Sequence, residues 1–338
     1  MSILKALQKK RTEDPNAVDL FGPANVVSFE KSERTANQPP ELFKQPDFRI
    51  GSPGSTSKGQ PNSMIGTALP DSNAGLTAGA NLDVDSSTRS VARPLPDFVT
   101  WNVDAERVEP RLVAITHPNS PYCEEYRSLR THVLHKSQRQ KLQAIVVASV
   151  NPAEGKSVTA INLAWLLAQT DGVRCLVIDS DLRMPSLADY IGIEANKGLS
   201  DILTADTKLT DAIVRLEPSG LHILPGGKAR ADVAELISGP KFAELLREAR
   251  EMFDYVIIDA PPLGIFTDAA VLINHADGAM LVVRANRTKY ASIERVLEQL
   301  PKERLLGVVL NQCEDVQNES DYQYGYYNYT RLNEGSEA

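Results

Sequence analysis

Six short runs of branched apolar residues recur between residues 144 and 310, and they restrict the chain to a small set of folds. They are Ala144-Ile-Val-Val-Ala-Ser149, Cys175-Leu-Val-Ile178, Leu221-His-Ile-Leu224, Tyr255-Val-Ile-Ile258, Ala279-Met-Leu-Val-Val283 and Leu306-Gly-Val-Val-Leu310. Each is too short for a helix and apolar on both faces, the texture of parallel strands covered by helices. Helical segments are expected between them at 160–170, 241–251, 268–274 and 292–300. Alternating β and α units predict a doubly wound α/β fold with a mostly parallel sheet and crossovers on both faces. No internal repeat is evident.

The rest of the chain reads differently. Residues 51–90 are dominated by Gly, Ser, Thr, Pro, Asn and Ala, a composition that buries too little apolar surface to offset ordering and predicts a flexible linker. Residues 1–12 have the pattern of a short amphipathic helix with Ile3, Leu4 and Leu7 on one face; a frayed surface helix is preferred over a docking peptide or membrane contact. The expected layout is therefore a largely disordered N-terminal extension over 1–107, a nucleotide-binding domain over 108–312 and a tail over 313–338. In that tail five of the ten tyrosines, Tyr322, Tyr324, Tyr326, Tyr327 and Tyr329, fall within eight residues without an aliphatic anchor. Their phenol hydroxyls are expected to be mobile and reachable.

The net charge of −8 argues against a nucleic-acid partner. Cys123, Cys175 and Cys313 have neither metal-ligand nor disulfide-framework spacing, which suits a reducing cytoplasm. No apolar run approaches the roughly 18 residues that span a bilayer, and the basic start lacks a signal peptide's apolar core. A cytoplasmic location is expected. His117, His132, His135, His222 and His275 form no metal-binding pattern and are read as structural.

The first strand runs into Val150-Asn151-Pro152-Ala153-Glu154-Gly155-Lys156-Ser157-Val158, followed by a helix. Backbone N–H groups of small residues at a helix start can converge on phosphate oxygens. Lys156 supplies charge for the β- and γ-phosphates and Ser157 a hydroxyl for Mg²⁺. The strict glycine pattern fails, because Val150 stands where the first Gly belongs; the plain alternative is a helix start capped by Ser157. The second strand ends in Asp179-Ser-Asp181-Leu-Arg183, two carboxylates at the strand edge where ligands of open α/β sheets sit. They can share a hydrated cation or orient a nucleophile; helix capping is the alternative. The fourth strand ends in Asp259-Ala-Pro-Pro262, the form of a Walker B carboxylate.

In combination these motifs resemble the bacterial tyrosine kinases of the polysaccharide-export type, the BY-kinases, over about residues 108–330. The resembling elements are Gly155-Lys156-Ser157, Asp179-x-Asp181-x-Arg183, Asp259, the tyrosine cluster and Glu124-x-x-Arg127-x-x-Arg130. The resemblance implies a P-loop NTPase fold and ATP with Mg²⁺ as cofactors. Lys156 and Asp179 would be catalytic, with Asp179 orienting or deprotonating the acceptor tyrosine. Ser157, Asp181 and Asp259 would hold the metal, and Asn151 to Val158 with an adenine-side Asn311 the nucleotide. Glu124, Arg127 and Arg130 would pack between subunits of a ring, with the tail tyrosines phosphorylated in trans. Implied partners are a membrane co-polymerase or adaptor, which would recruit the protein to the inner face of the plasma membrane, and a tyrosine phosphatase; the implied role is control of exopolysaccharide or capsule assembly. Lacking a fused membrane-spanning domain, the layout resembles stand-alone members, including those near exosortase-linked loci. Ala153 departs from the family's usual Gly and predicts a slightly stiffer loop.

Two rivals stay open. A partition or septum-positioning ATPase shares the expected fold but carries a signature Lys where this chain has Asn151, and leaves the tyrosines without a role. A non-catalytic scaffold with a sticky aromatic tail would not need Lys156 and the three aspartates.

Overall fold

The computed structural model describes residues 95–313 and the backbone of Val26–Glu30. The expected helix over 1–12, the linker over 51–90 and all five tail tyrosines lie outside the described residues.

The strands are β1 (Val26–Glu30), β2 (Val99–Asn102), β3 (Ala144–Ser149), β4 (Cys175–Asp179), β5 (Val214–Glu217), β6 (Leu221–Leu224), β7 (Tyr255–Asp259), β8 (Gly278–Arg284) and β9 (Leu305–Cys313). Among the described residues they form one nine-stranded sheet in the order β1-β9-β8-β3-β7-β4-β6-β5-β2. Neighbours run parallel except β5 and β6, which are antiparallel. The chain crosses β7 in going from β3 to β4, then crosses β3 in going from β7 to β8. This reversal of winding opens a crevice at the C-terminal ends of β3, β4 and β7, where α/β sheets bind ligands.

Burial on both faces explains the unbroken apolar runs. Val146, Ile178, Val256, Ile258 and Leu281 point into one core, while Ile145, Val147, Val177, Ile257 and Val282 point into the other. The longer helices supply the covers: α1 (Pro121–Arg139), α2 (Lys156–Ala168), α3 (Pro240–Met252), α4 (Asp268–His275) and α5 (Tyr290–Glu298). Leu129 and Val133 of α1 and Ile161, Leu163 and Trp165 of α2 fill the second core. Phe242 and Leu245 of α3, Leu272 of α4 and Ile293 of α5 fill the first. At roughly 1.5–3 kcal/mol per buried large aliphatic side chain, this two-faced packing dominates the folding free energy.

The six expected strands and four expected helices are present, with no end shifted by more than four residues. The sheet reaches further toward the N-terminus than the expected boundary at 108. Val99–Asn102 pairs with β5, and Val26–Glu30 pairs with β9. Strand β2 covers an edge and is mostly exposed, so it carries no apolar run to mark it. A buried amide also fastens the segment before α1: Asn162 Oδ1 accepts from the Ala114 N–H at 2.9 Å, and its Nδ2 donates to Arg111 O at 3.1 Å.

His222, on β6, is buried between the rings of Phe98 and Phe253, with centroids 4.9 and 5.0 Å away. Burial, and then the Arg215 charge, lower its pKa to about 4 from the ordinary 6.5. The unfolded chain thus binds a proton on this imidazole more readily than the folded one. The stabilising preference for neutral His222 is complete above pH 6.5 and is lost as pH falls towards 4. His222→Leu should remove a loss on the order of 3 kcal/mol between those pH values. Urea melts of both proteins at pH 7 and pH 4.5 measure it; equal pH dependence in the two proteins is the contrary result.

Candidate active site

Parallel register sets the site. Asp179 and Asp259 end β4 and β7 as direct Cα partners, and Val147 of β3 pairs with Asp259 on its other side. The phosphate loop leaves β3 next to them and turns into α2 at Gly155, whose φ of 95° is in the left-handed region. A Cβ there would also collide with Asn311 Nδ2, so both backbone and packing require glycine. Ala153 has φ 60°, a conformation that costs a side-chain-bearing residue about 1 kcal/mol and that glycine adopts freely. The departure from Gly at 153 therefore lies at a position of real backbone strain.

Lys156 Nζ reaches Asp181 Oδ2 at 2.9 Å and Asp259 Oδ2 at 3.5 Å, and donates to Ser157 Oγ at 3.1 Å. Ser157 Oγ in turn donates to Asp259 Oδ2 at 2.6 Å. Burial works against the Lys156 charge, but Asp259 and Asp181 outweigh it and hold the ammonium above the ordinary lysine range. Burial pushes Asp259 above the ordinary carboxylate range, opposed by Lys156 and the Ser157 hydrogen bond. Asp179 Oδ2 accepts from the N–H groups of Ser186 at 2.8 Å and Leu187 at 3.0 Å. Burial and then the Asp259 charge push Asp179 up to about 7, against those two hydrogen bonds.

Two oxygens in this cluster, Asp179 Oδ1 and Asp259 Oδ1, are buried without a hydrogen-bond partner. A buried acceptor left unmatched costs about 1–3 kcal/mol, which makes both natural contacts for a bound cation or an incoming hydroxyl. Among the described residues no three His, Cys, Asp or Glu side chains form a ready metal cage.

The remaining expected residues divide into two groups. Asn151 and Glu154 brace the loop from within: Glu154 Oε2 accepts from the N–H groups of Val150 and Asn151 at 2.9 and 3.0 Å, and Oε1 accepts from Asn151 Nδ2 at 2.8 Å. Asn311 Nδ2 donates to Glu154 O at 2.8 Å, which places this asparagine against the phosphate loop. Pro152 is exposed at the loop tip, and Val158 is buried in α2. Glu124, Arg127 and Arg130 lie on α1, apart from this cluster. Glu124 and Arg127 pair with each other, and Arg130 Nη1 donates to Leu166 O at 3.5 Å.

Residues outside the motifs complete the site. Thr288 Oγ1 donates to Glu154 Oε1 at 2.5 Å. Asp268 takes Arg183 Nε at 2.8 Å and Nη2 at 3.4 Å, while the guanidinium carbon lies 4.5 Å from the centre of the Phe266 ring. Arg183 thus ties the Asp179–Arg183 turn to the start of α4. The backbone of Leu263 and Gly264 donates to Ser149 O and Val150 O at 2.8 and 2.9 Å, seating the Pro261-Pro262 loop on the phosphate loop.

A family profile described as an AAA domain matches residues 142–304. The chain is 34% identical over 223 residues to the tyrosine-protein kinase YwqD of Bacillus subtilis, a match covering 65% of this chain and 92% of YwqD. The crystal structure of the chimerical protein CapA2B2 is similar at 29% identity and a TM-score of 0.58, covering 65% of this chain and 96% of that one. The BceF tyrosine kinase domain is similar at 30% identity and a TM-score of 0.54, covering 59% of this chain and 81% of that domain.

Gly155→Ala should destabilise the fold by about 2–3 kcal/mol, combining left-handed strain with the collision against Asn311. Asn311→Ala removes the collision but not the strain. Thermal melts of both single variants and the double variant should give a total loss smaller than the sum of the singles. Strict additivity would separate Asn311 from the loop.

Proposed function

We propose, because the chain belongs to the bacterial tyrosine-protein kinases, that it is an ATP-dependent autokinase acting on its own Tyr322, Tyr324, Tyr326, Tyr327 and Tyr329. The observation that carries this reading is the convergence of Lys156, Asp181 and Asp259 at the strand ends where Asp179 holds a buried oxygen without a hydrogen-bond partner. One charged lysine and one hydroxyl at the start of α2, facing three carboxylates at and just beyond the ends of β4 and β7, suit phosphoryl transfer.

ATP is the donor this loop fits. The N–H groups of 153–157 would cradle its phosphates, with Asn311 flanking the loop. Lys156 would exchange Asp181 and Asp259 for β- and γ-phosphate oxygens, freeing both carboxylates and Ser157 to hold Mg²⁺. The cation, when bound, neutralises charge developing on the phosphate oxygens. Asp179 would accept the phenol proton as the phenolate oxygen bonds to the γ-phosphorus and the bond from phosphorus to the ADP oxygen breaks. A phenol with an ordinary pKa of about 10 needs such a base at neutral pH. Asp179 is suited to it, with one oxygen fixed by two backbone donors and the other without a hydrogen-bond partner.

Within this proposal the kinase domain occupies 108–312 together with the two strands β1 and β2 that precede it in the chain, and is followed by the tail. The tail is phosphorylated in trans, within a ring whose subunits meet at Glu124, Arg127 and Arg130. Each added phosphate carries about −1.5 to −2 charge, so successive transfers repel one another and loosen the ring. A membrane co-polymerase or adaptor recruits the protein to the membrane, a tyrosine phosphatase resets it, and the cycle regulates exopolysaccharide or capsule export. Among the described residues no helix is long and apolar enough to cross a membrane. Asn151, bonded into the loop through Glu154, disfavours the partition-ATPase alternative, which needs a lysine at that position.

Incubation of the purified protein with Mg-ATP, followed by phosphotyrosine mapping by mass spectrometry, should place phosphate on residues 322–329. Lys156→Met or truncation after Ser320 should abolish it; modification only elsewhere would refute the autokinase reading. The pH profile gives a second check. Asp179 must be ionised to act as base, and its free-enzyme value is about 7. Hence kcat/KM should rise between pH 6 and pH 8, and Asp179→Asn should lose roughly 10²–10⁴-fold together with that ascending limb.

A further inference from the structure

Exposed large hydrophobic side chains are rare among the described residues, and two of them flank the active site. Met184 is 77% exposed and Ile265 is 56% exposed. Met184 ends the turn that follows Asp179 and Asp181, its N–H donating to Asp181 O at 3.0 Å. Ile265 sits in the loop whose preceding residues, Leu263 and Gly264, bond to the start of the phosphate loop. Their sequence neighbours are in contact: Arg183 lies over the Phe266 ring and is held by Asp268. An isoleucine and a flexible thioether on either side of a stacked arginine make an apolar rim, and nothing in the nucleotide chemistry calls for it.

We propose that Met184 and Ile265 form the docking rim for the tyrosine segment 322–329, holding a ring beside the acceptor so that its neighbour's hydroxyl meets Asp179. This rests on the autokinase reading and assigns the acceptor contacts of that same site. Three observations favour this occupant. The tail leaves β9 two residues beyond Asn311, which is bonded to the phosphate loop, so it departs at the same sheet edge as the catalytic cluster. The nine residues from Cys313 to Tyr322 span at most about 30 Å, enough to reach this rim or a neighbouring copy's. The segment has no aliphatic residue, so its rings are its apolar anchors, and sulfur–aromatic contacts suit Met184. The connecting stretch also carries Glu314, Asp315, Glu319 and Asp321. The exposed Lys228 lies in the loop fastened to the same turn by the Arg230 N–H donating to Leu182 O at 2.8 Å.

The test uses the full-length chain with its five tail tyrosines changed to alanine, and a synthetic peptide of residues 314–330 as acceptor. Adding Met184→Ser and Ile265→Ser should raise the peptide KM at least fivefold, with kcat within twofold and affinity for a non-hydrolysable ATP analogue unchanged. Met184→Leu with Ile265→Leu should restore the KM. An unchanged KM overturns the proposal. A raised KM accompanied by a lower sedimentation coefficient also overturns it, assigning the pair to a subunit interface. If the parent enzyme transfers no phosphate to the peptide, the autokinase reading falls, and this inference with it.

Discussion

The placement of one lysine among three carboxylates governs the rest of this structure. Strand pairing forces Asp179 and Asp259 to be neighbours, since they end adjacent parallel strands in direct register. On adjacent strands about 4.8 Å apart, two ionised carboxylates would repel each other. Asp259 is fully buried, so desolvation adds to that cost. Lys156, within 2.9 Å of Asp181 and 3.5 Å of Asp259, supplies the compensating charge. The residue that offsets the acidic cluster is also the one a phosphate loop directs at its ligand. In the proposed reaction Lys156 would turn to phosphate oxygens and a cation would take its place among the carboxylates, so the electrostatics of the fold and of ligand binding are one problem.

A rigid frame keeps that lysine where it is needed. The phosphate loop contains few glycines, and its shape is imposed from beneath by the Glu154 carboxylate, which takes two loop N–H groups and the Asn151 amide. Glu154 is anchored to Thr288 and covered by Asn311, which belong to the segments after β8 and at the end of β9. Three strands of the sheet thereby fix one loop. A buried carboxylate with this many donors resists rearrangement, because breaking one bond leaves charge unmatched in a place water does not reach. Preorganisation of this kind lets the loop meet phosphate oxygens without reordering.

The legibility of these features in the sequence follows from their range along the chain. Strands β3, β4, β6, β7, β8 and β9 were readable because burial on both faces leaves a continuous apolar signature. Strand β5, Val-Arg-Leu-Glu, buries only Leu216 among its four residues, and β2 buries none of its four, so neither leaves such a run. The site's acidic and lysine positions were readable because each motif is a local string at a strand end. The Thr288–Glu154 and Arg183–Asp268 contacts join residues 134 and 85 positions apart, and Thr and Asp in those places look like ordinary helix starts. Backbone strain at Ala153 was visible only as a departure from glycine until its φ of 60° gave it a physical meaning.

The long-range contacts also link the donor side of the site to the acceptor side. Arg183 follows the Asp179–Asp181 turn and binds Asp268 at the head of α4, while Phe266 packs under its guanidinium. Displacing the turn would therefore move Phe266 and the loop seated on the phosphate loop. In the proposed reaction, the geometry of the base and the path of the acceptor are set by one clamp. A guanidinium suits that role better than an ammonium, because its planar fork binds both Asp268 oxygens while its face stacks on a ring. Lysine at 183 would keep the charge and lose the plane, loosening the tie between the Asp179–Arg183 turn and Phe266. The motif's arginine thus has a mechanical purpose that charge alone does not explain.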